Sequence, residues 1–266
     1  MTQASALRHK ELLTSMESSK ALVRPPGSSF VKCLSCHPMR DSIDLSQARD
    51  QHEAYRSMLE DLGLEVIALP QDDLRPDACF VEDCAVVHGR RALITRLGAT
   101  SRRGEEDAVE AALDEYLATK RAVAPATVEG GDVVHLRDRL ISGISKRTNV
   151  EGVEQMSGWL DVEVDTIRDD DMMHLKSHLT YLGRGTFIAT EKYASHPALR
   201  GMEVIVVPRG EEYAADTLAV DDTVLMAAGR VESHRLVRDA GFRVIPMDVS
   251  EFEKCDGALT CLSVLF

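Results

Sequence analysis

The sequence predicts an α/β fold built from five similar units, each with two strands, a helix and a third strand. Possible strand pairs begin near residues 84, 131, 174, 216 and 258, a spacing of about 42 to 47 residues that is typical of repeat and propeller architectures. The pair near residue 258 has room for only one strand before the chain ends at Phe266. Its missing elements are predicted near the N-terminus, so the fifth unit would be completed by both ends of the chain.

Apolar periodicity and turn signals predict the elements in order. The N-terminal part has a strand at 20–24, a helix at 47–62 between Ser46 as N-cap and Gly63 as stop, and a strand at 64–69. Strands at 85–87 and 92–95 precede a helix at 104–119, and strands at 133–136 and 140–141 precede a helix at 149–160 capped by Thr148. Strands at 179–182, 187–190 and 203–207 accompany a short helix at 197–200, and strands at 217–220, 224–227 and 242–247 accompany a helix at 231–240. A last strand is predicted at 259–265.

Composition is that of one globular domain, which we assign to residues 20–266, with residues 1–19 as an N-terminal extension. The net charge of −13 argues against a nucleic-acid partner. The sequence has no run of about 18 apolar residues, so we expect no membrane span. Residues 1–19 lack the apolar segment of a secretory signal, and we therefore expect a cytoplasmic protein, as a monomer or homodimer.

Six cysteines are present, and without an export signal we expect all of them to be reduced. Residues 33–37 match the Cys-x-x-Cys-His pattern of haem attachment, but that attachment requires export. A zinc site would need a second pair of ligands, which the sequence does not offer. The sequence thus predicts neither a metal nor an organic cofactor.

Polar motifs recur at one position of the repeat, the entrance of a strand pair. They are Glu82–Asp83, Glu129–Asp132, His174 and Asp256–Cys261. Units arranged around an axis would bring these entrances to one end of it. Singly, Cys261 is most simply a buried apolar residue, His174 a structural histidine and Glu129 a solvated carboxylate. Together they match the nucleophile, base and orienting carboxylate of covalent catalysis.

Charged residues around these motifs predict a substrate with both signs of charge. Asp77, Glu82 and Asp83 lie beside an apolar strand, where carboxylates need a partner such as a guanidinium. Arg102 and Arg147 occupy equivalent places in neighbouring units and would suit a carboxylate. The alternative for both groups is a solvated surface. An arginine-like amino acid would satisfy all five residues.

The sequence resembles the dimethylarginine dimethylaminohydrolase family of guanidino-modifying enzymes from about residue 20 to the end. The motifs that carry the resemblance are Pro-Asp-Ala-Cys-Phe-Val-Glu-Asp at 76–83, residues 92–104, Val-Glu-Gly-Gly-Asp-Val at 128–133, Gly-Ile-Ser-Lys-Arg-Thr-Asn at 143–149, His-Leu-Lys at 174–176 and Asp-Gly-Ala-Leu-Thr-Cys at 256–261. The resemblance implies a five-bladed α/β propeller (the pentein fold), formed by a single catalytic domain. It also implies a cytoplasmic hydrolase that acts on methylated arginine without a cofactor.

The same resemblance implies a role for each site residue. Cys261 would be the nucleophile, His174 the general acid and base, and Glu129 the residue that orients His174. Asp77, Glu82 and Asp83 would surround the guanidinium, and Arg102 and Arg147 would bind the substrate carboxylate. The backbones of Leu34 and Cys255 would receive the substrate amino group, although the loop at 25–46 matches the family poorly.

Two other functions stay open at this point. Arginine deiminases resemble this chain but carry an aspartate two residues after the catalytic histidine, where this chain has Lys176. That difference favours an N-alkylated guanidine over arginine, yet a deiminase or an amidinotransferase remains an alternative. A pentein binding module without catalysis is the alternative of another class, because a fold does not dictate a function.

Overall fold

The computed structural model describes residues 18–266, which form five helices and fifteen strands. The helices are α1 (Leu45–Asp61), α2 (Glu106–Leu113), α3 (Val150–Leu160), α4 (Val231–Asp239) and α5 (Ser250–Glu253). The strands are β1 (Lys20–Val23), β2 (Glu65–Ala68), β3 (Ala85–His88), β4 (Arg91–Ile94), β5 (Ala118–Arg121), β6 (Val133–His135), β7 (Arg139–Ile144), β8 (Glu163–Arg168), β9 (Leu179–Gly183), β10 (Thr186–Ala189), β11 (Glu203–Val206), β12 (Leu218–Val220), β13 (Thr223–Ala227), β14 (Arg243–Met247) and β15 (Ser263–Leu265). Within this part of the chain no helix combines the length and the apolar character needed to cross a bilayer. Most of the predicted extension at 1–19 lies outside the described residues.

The strands form five separate three-stranded sheets of one topology. Their orders are β15-β1-β2, β3-β4-β5, β6-β7-β8, β9-β10-β11 and β12-β13-β14. In each sheet the middle strand pairs antiparallel with one neighbour and parallel with the other. Ala21 of β1 faces Leu265 of β15, so one sheet joins the two ends of the chain. The predicted five-unit repeat, with its last unit shared between the ends, is confirmed in this respect.

The burial of strands within each sheet explains why the repeat can be recognised in the sequence. Every residue of the middle strands β10 and β13 is buried, because a central strand is covered on both faces. The outer parallel strands, such as β2 and β8, consist mostly of exposed and partly buried residues. Leu22, Val87 and Val264 lie in one apolar cluster, so neighbouring sheets pack against each other through their side chains.

Element boundaries differ from the predictions where side chains find other partners. The helix predicted at 104–119 ends at Leu113, because Thr119 pairs with Ala92 in the parallel sheet. Asp44 rather than Ser46 caps α1, accepting from two backbone N–H groups. Asn149 rather than Thr148 caps α3. The last strand begins at Ser263 because residues 260–262 form a 3₁₀ turn.

The expectation that all cysteines are reduced is wrong for two of them. Cys33 and Cys255 form a disulfide, with their Cα atoms 6.0 Å apart. Among the described residues Cys36, Cys79, Cys84 and Cys261 are free. The two bonded residues are 222 positions apart in the sequence, and sequence spacing alone could not have paired them.

Candidate active site

A cavity of about 270 Å³ collects most of the predicted site residues. Its lining residues are Leu34, Ser35, Cys36, Asp77, Phe80, Asp83, Arg102, Arg147, Met173, His174, Cys255, Asp256, Gly257 and Cys261. A more open depression of about 420 Å³ lies around Arg139, Asp165 and His196, and no cysteine is among its described lining residues. The first cavity is therefore the candidate active site, since it holds a thiol, an imidazole and charges of both signs.

His174 and Glu129 form the central pair of the site. The Nε2 atom of His174 lies 2.7 Å from Oε2 of Glu129 and 3.6 Å from Oδ1 of Asp83. Burial by itself lowers the pKa of His174, but the carboxylates of Asp83 and Glu129 outweigh it and raise this pKa to about 9. At neutral pH His174 is thus an imidazolium whose Nε2–H donates to Glu129, which leaves Nδ1 to carry a transferable proton.

Gly130 and Gly131 allow this close arrangement. A Cβ atom at Gly130 would lie 2.0 Å from the carbonyl oxygen of Glu82, and one at Gly131 would lie 2.8 Å from Nδ1 of His174. Neither position has space for a side chain. The glycines let the backbone pass directly behind the imidazole and deliver the N–H of Gly131 to Asp83 at 3.1 Å.

Cys261 lies in the 3₁₀ turn that precedes β15 and is 8% exposed. Burial raises the pKa of its thiol well above the usual range, and the negative charges of Asp216, Glu82 and Asp83 raise it further. The free protein therefore holds a neutral thiol and an imidazolium on the same cavity. A cation bound between the carboxylates and the sulfur would reverse this effect, because a nearby positive charge favours the thiolate.

Arg102 lines the cavity but differs from the expected substrate clamp. Its guanidinium donates to Glu105 through Nε and Nη2 and to Asp83 through Nη1, at 2.7 to 3.0 Å. Longer contacts of Nη2 reach two backbone carbonyl oxygens. Within the described residues these partners leave at most one guanidinium hydrogen, on Nη1, for a ligand. Arg102 holds Asp83 in place and contributes positive charge rather than a free bidentate fork.

Charge compensation by Arg102 decides how Asp83 ionises. Burial alone raises the pKa of Asp83, but His174 and Arg102 reverse this and lower it to about 2. Glu105, on the other side of Arg102, is less compensated, and burial raises its pKa to about 7. Asp83 thus stays a carboxylate at the cavity wall, next to the predicted nucleophile and base.

Glu82 does not join Asp83 at the cavity, in contrast to the expectation that both surround a guanidinium. Its two carboxylate oxygens bind Nζ of Lys176 at 2.5 Å and the hydroxyl of Thr260 at 2.9 Å. It does not appear among the described lining residues. Glu82 therefore lies behind the wall, where it ties Lys176 to the residue that precedes Cys261.

Leu34, Asp77, Arg147 and Cys255, which the sequence predicts to bind the substrate, also line this cavity. Asp77 accepts the backbone N–H of Leu34 at 3.0 Å, so it lies beside the Leu34 loop. Burial raises its pKa, although Arg102 and the Leu34 N–H act in the opposite direction. Arg147 is only loosely held, 3.5 Å from Glu129 and in contact with the sulfur of Met173. Its guanidinium can therefore turn to a ligand carboxylate.

Sequence reasoning missed one buried carboxyl that supports His174. Asp132 accepts from the hydroxyls of Ser145 and Thr148 and from the backbone N–H of Leu175. Burial raises its pKa to about 6. It thereby ties the residue that follows His174 to the connection at residues 145–148. Its place at the end of the Glu-Gly-Gly-Asp motif was the signal that could have identified it.

Asp83, Glu129 and His174 are also the described residues with the spacing of a cation site, since their donor atoms lie within 4.8 Å of one another. A protonated imidazole has no lone pair for a metal. Because the carboxylates raise the pKa of His174 to about 9, a proton competes with a metal for this position at neutral pH. The arrangement suits proton transfer better than metal binding.

Comparison with known proteins identifies the family. A family model described as N,N dimethylarginine dimethylhydrolase, eukaryotic, matches residues 37–193. The N(G),N(G)-dimethylarginine dimethylaminohydrolase of Pseudomonas aeruginosa is 35% identical over 250 residues, which cover 92% of this chain and 98% of that protein. This chain belongs to the dimethylarginine dimethylaminohydrolase family. The family's protein from Streptomyces coelicolor is 36% identical over 254 residues, covering 94% of this chain and 97% of its own.

A solved structure of the same family has the same architecture. It is a cysteine-to-serine mutant of the Pseudomonas aeruginosa dimethylarginine dimethylaminohydrolase in complex with citrulline. Its TM-score to this chain is 0.91 at 34% identity, and the alignment covers 94% of this chain and all of that one. The α/β fold of small sheets is therefore shared with this family.

Proposed function

We propose that this protein hydrolyses N-omega-methylated arginine to citrulline and methylamine or dimethylamine. The observation that carries this proposal is the joint position of His174, Asp83 and Cys261 on one cavity, with Arg147 on the same cavity. This set supplies a nucleophile, a proton donor, an anion for the guanidinium and a cation for the carboxylate. Membership of the family, and the citrulline bound to a relative, support the same reaction.

In the proposed mechanism Asp83 draws the guanidinium toward Cys261. The bound cation lowers the pKa of the Cys261 thiol, which loses its proton to solvent. The thiolate sulfur bonds to the central guanidinium carbon and forms a tetrahedral adduct. Nδ1 of the His174 imidazolium gives its proton to the methylated nitrogen, the carbon–nitrogen bond breaks, and the amine leaves.

The second half of the proposed mechanism releases citrulline. After the amine has left, the substrate carbon is held on Cys261 as a thiouronium. His174, now neutral, takes a proton from water, and the water oxygen bonds to the same carbon. The carbon–sulfur bond then breaks, the new hydroxyl group gives its proton to the departing Cys261 sulfur, and citrulline departs with the thiol restored. Glu129 supports both halves because it stabilises the imidazolium and holds its orientation.

The other end of the cavity recognises the amino acid in this proposal. Arg147 binds the substrate carboxylate, with a weaker contribution from the charge of Arg102. The backbone carbonyl groups of Leu34 and Cys255 receive the amino group, and the Asp77 carboxylate adds attraction for it. Lys176, held against Glu82, offers no counter-charge for an unsubstituted guanidinium, which favours a methylated one.

We also propose that the five sheets are the blades of a five-bladed α/β propeller, and that residues 20–266 form a single catalytic domain. The identical topology of the sheets and the sheet shared by both chain ends support this arrangement. It explains why motifs at one phase of the repeat converge on one cavity.

A turnover screen tests the function. Purified protein is incubated with arginine, monomethylarginine, asymmetric dimethylarginine and agmatine, and the released amines are identified, with Cys261→Ser as the blank. We expect methylamine or dimethylamine and citrulline from the methylated substrates and little ammonia from arginine. Ammonia as the main product would support a deiminase instead, and no turnover of any substrate would support a binding module.

A further inference from the structure

The Cys33–Cys255 disulfide joins two adjacent walls of the substrate cavity, with its Cα atoms 6.0 Å apart. Leu34 and Cys36, one and three positions after Cys33 in the chain, line one wall, and Cys255 to Gly257 line the other. Cys255 lies only six positions before Cys261. The bond therefore connects the 33–36 loop directly to the segment that carries the proposed nucleophile.

The two walls differ in how firmly the rest of the protein holds them. The Cys255 wall is fixed by packing: a Cβ at Gly257 would lie 2.3 Å from the Phe80 ring, and the Tyr213 hydroxyl donates to the Gly257 carbonyl at 2.7 Å. The loop wall is open to solvent, since Leu34 is 45% exposed and Cys36 is exposed. The packed Cys255 wall can thus set the position of the exposed loop wall through the disulfide.

Apart from the disulfide, polar contacts hold the tip of the loop. Ser35 and the backbone N–H of Cys36 each donate to Oδ2 of Asp256 at 2.8 Å. The N–H of Leu34 donates to Asp77. Water competes for the two exposed hydrogen bonds to Asp256, so each of them contributes little by itself. They limit the movement of the loop without the disulfide but do not fix it.

We propose that the Cys33–Cys255 disulfide is a positioning element of the substrate site, which sets the spacing between the two backbone segments that receive the amino-acid end of the substrate. The proposal rests on the proposed function, because it assigns Leu34 and Cys255 to that end. A site held at the bound spacing loses less conformational entropy when the substrate binds. Reduction of the bond therefore weakens substrate binding while His174 and Cys261 keep their surroundings.

The reduction is a two-electron step with a dithiol such as dithiothreitol. The dithiol supplies two electrons and two protons, the sulfur–sulfur bond breaks, and Cys33 and Cys255 become thiols. The dithiol closes to its cyclic disulfide. Because Cys261 is already a free thiol, the same treatment leaves the proposed nucleophile in its active oxidation state.

Peptide mapping without reduction and steady-state kinetics test the proposal together. Protein prepared without reductant is digested, and its cross-linked peptides are identified by mass spectrometry. KM and kcat for asymmetric dimethylarginine are then measured before and after dithiothreitol, for the wild type, Cys33→Ser and Cys36→Ser. Cys36→Ser is the matched control, because it removes a thiol from the same loop without removing the disulfide.

We expect a Cys33–Cys255 peptide and a rise in KM of about tenfold on reduction, with kcat changed by less than about twofold. Cys33→Ser should have the raised KM before any reductant is added and should not respond to it. Cys36→Ser should respond as the wild type does. Thermal unfolding of each sample is recorded as well. If the bond were purely structural, its loss would lower the midpoint of unfolding and leave KM unchanged.

Several outcomes overturn the proposal. They are the absence of the cross-linked peptide, a KM that reduction does not change, and a Cys33→Ser variant that still responds to dithiothreitol. In the last two cases turnover of dimethylarginine persists, so the proposed function stands. Failure of the proposed function itself looks different: neither redox state of the wild type turns over any methylated arginine, and both proposals fall.

Discussion

The His174 side of the cavity is formed by residues of the repeated units, whereas the Leu34 side is formed by the connection between β1 and α1. The other units have only a shorter form of this connection. Between β1 and α1 the chain takes residues 24–44, while the equivalent connection between β7 and α3 takes residues 145–149. Glu129 and Asp83 are almost fully buried, but Leu34 is 45% exposed. One end is thus formed by the core and the other by a surface loop.

This difference separates the chemical step from recognition. Buried charges near His174 are each compensated by a partner, so their positions and pKa values are fixed before any substrate binds. The loop end depends on a disulfide and solvent-accessible hydrogen bonds, which respond to redox conditions and to bound ligand. Substitutions around His174 should therefore act mainly on kcat and stability, whereas substitutions of the residues that bind the amino-acid part of the substrate should act mainly on KM.

The largest effect is expected at Cys261. Cys261→Ser should lower kcat by at least about 10⁴-fold, since a serine hydroxyl is a far weaker nucleophile than a thiolate. Circular dichroism and thermal unfolding should show a folded protein. Cys84→Ala, a buried cysteine away from the cavity, serves as the control and should retain turnover. Turnover within about tenfold of wild type in Cys261→Ser would contradict the assigned nucleophile.

Lys176 tests whether the buried ion pair with Glu82, behind the cavity wall, stabilises the fold. Lys176→Met should lower the free energy of unfolding by about 3 to 5 kcal/mol, because it leaves the buried Glu82 without its cation. Denaturant unfolding measures this. Lys192→Met removes a lysine paired with Asp169 at an exposed position and should leave the unfolding midpoint unchanged. Equal effects of the two variants would show that burial of the Lys176 pair has no special role.

Glu129 tests the pKa argument for His174. In the wild type, kcat/KM should fall as pH rises through about 9, because His174 then loses the proton that the leaving amine needs. The stability linked to this raised pKa is fully present below about pH 6.5 and is lost over the same alkaline range.

Glu129→Gln removes one of the charges that raise the pKa of His174. It should move the alkaline limb of the pH profile to lower pH and reduce kcat by about 10²- to 10³-fold at pH 8. The profile of kcat/KM against pH, measured for both proteins, checks the shift. An unmoved alkaline limb would mean that another group titrates there.

Arg147, the proposed partner of the substrate carboxylate, tests recognition and should give the smallest effect. Arg147→Ala should raise KM for dimethylarginine by about 10- to 100-fold with little change in kcat, the equivalent of about 1.4 to 2.8 kcal/mol for a charged hydrogen bond. Lys146→Ala removes a neighbouring exposed cation and should leave KM within about twofold of wild type. A large fall in kcat for Arg147→Ala, with KM unchanged, would show that Arg147 acts in the chemical step rather than in substrate binding.

The repeat was predictable because each unit carries the same local signals. Alternating apolar residues, Gly and Asp turns and the period between units all lie within short stretches of chain, so even the unit shared by both ends could be deduced. The meeting of Glu129, His174 and Cys261 on one side followed from their equivalent places in the repeat. Element ends were less predictable, because caps such as Asp44 and Asn149 compete with neighbours of similar chemistry.

The sequence alone determined the five-unit α/β plan and the set of chemical groups, because these depend on local periodicity and on which residue types occupy one phase of the repeat. Only the tertiary structure decided how the charges pair: Arg102 with Asp83 and Glu105, Lys176 with Glu82, and Cys33 with Cys255. Such pairings depend on distances between residues remote in sequence. Folding also sets the pKa values, because Asp83 and Glu129 outweigh burial and raise the pKa of His174, whereas burial itself raises the pKa of Cys261.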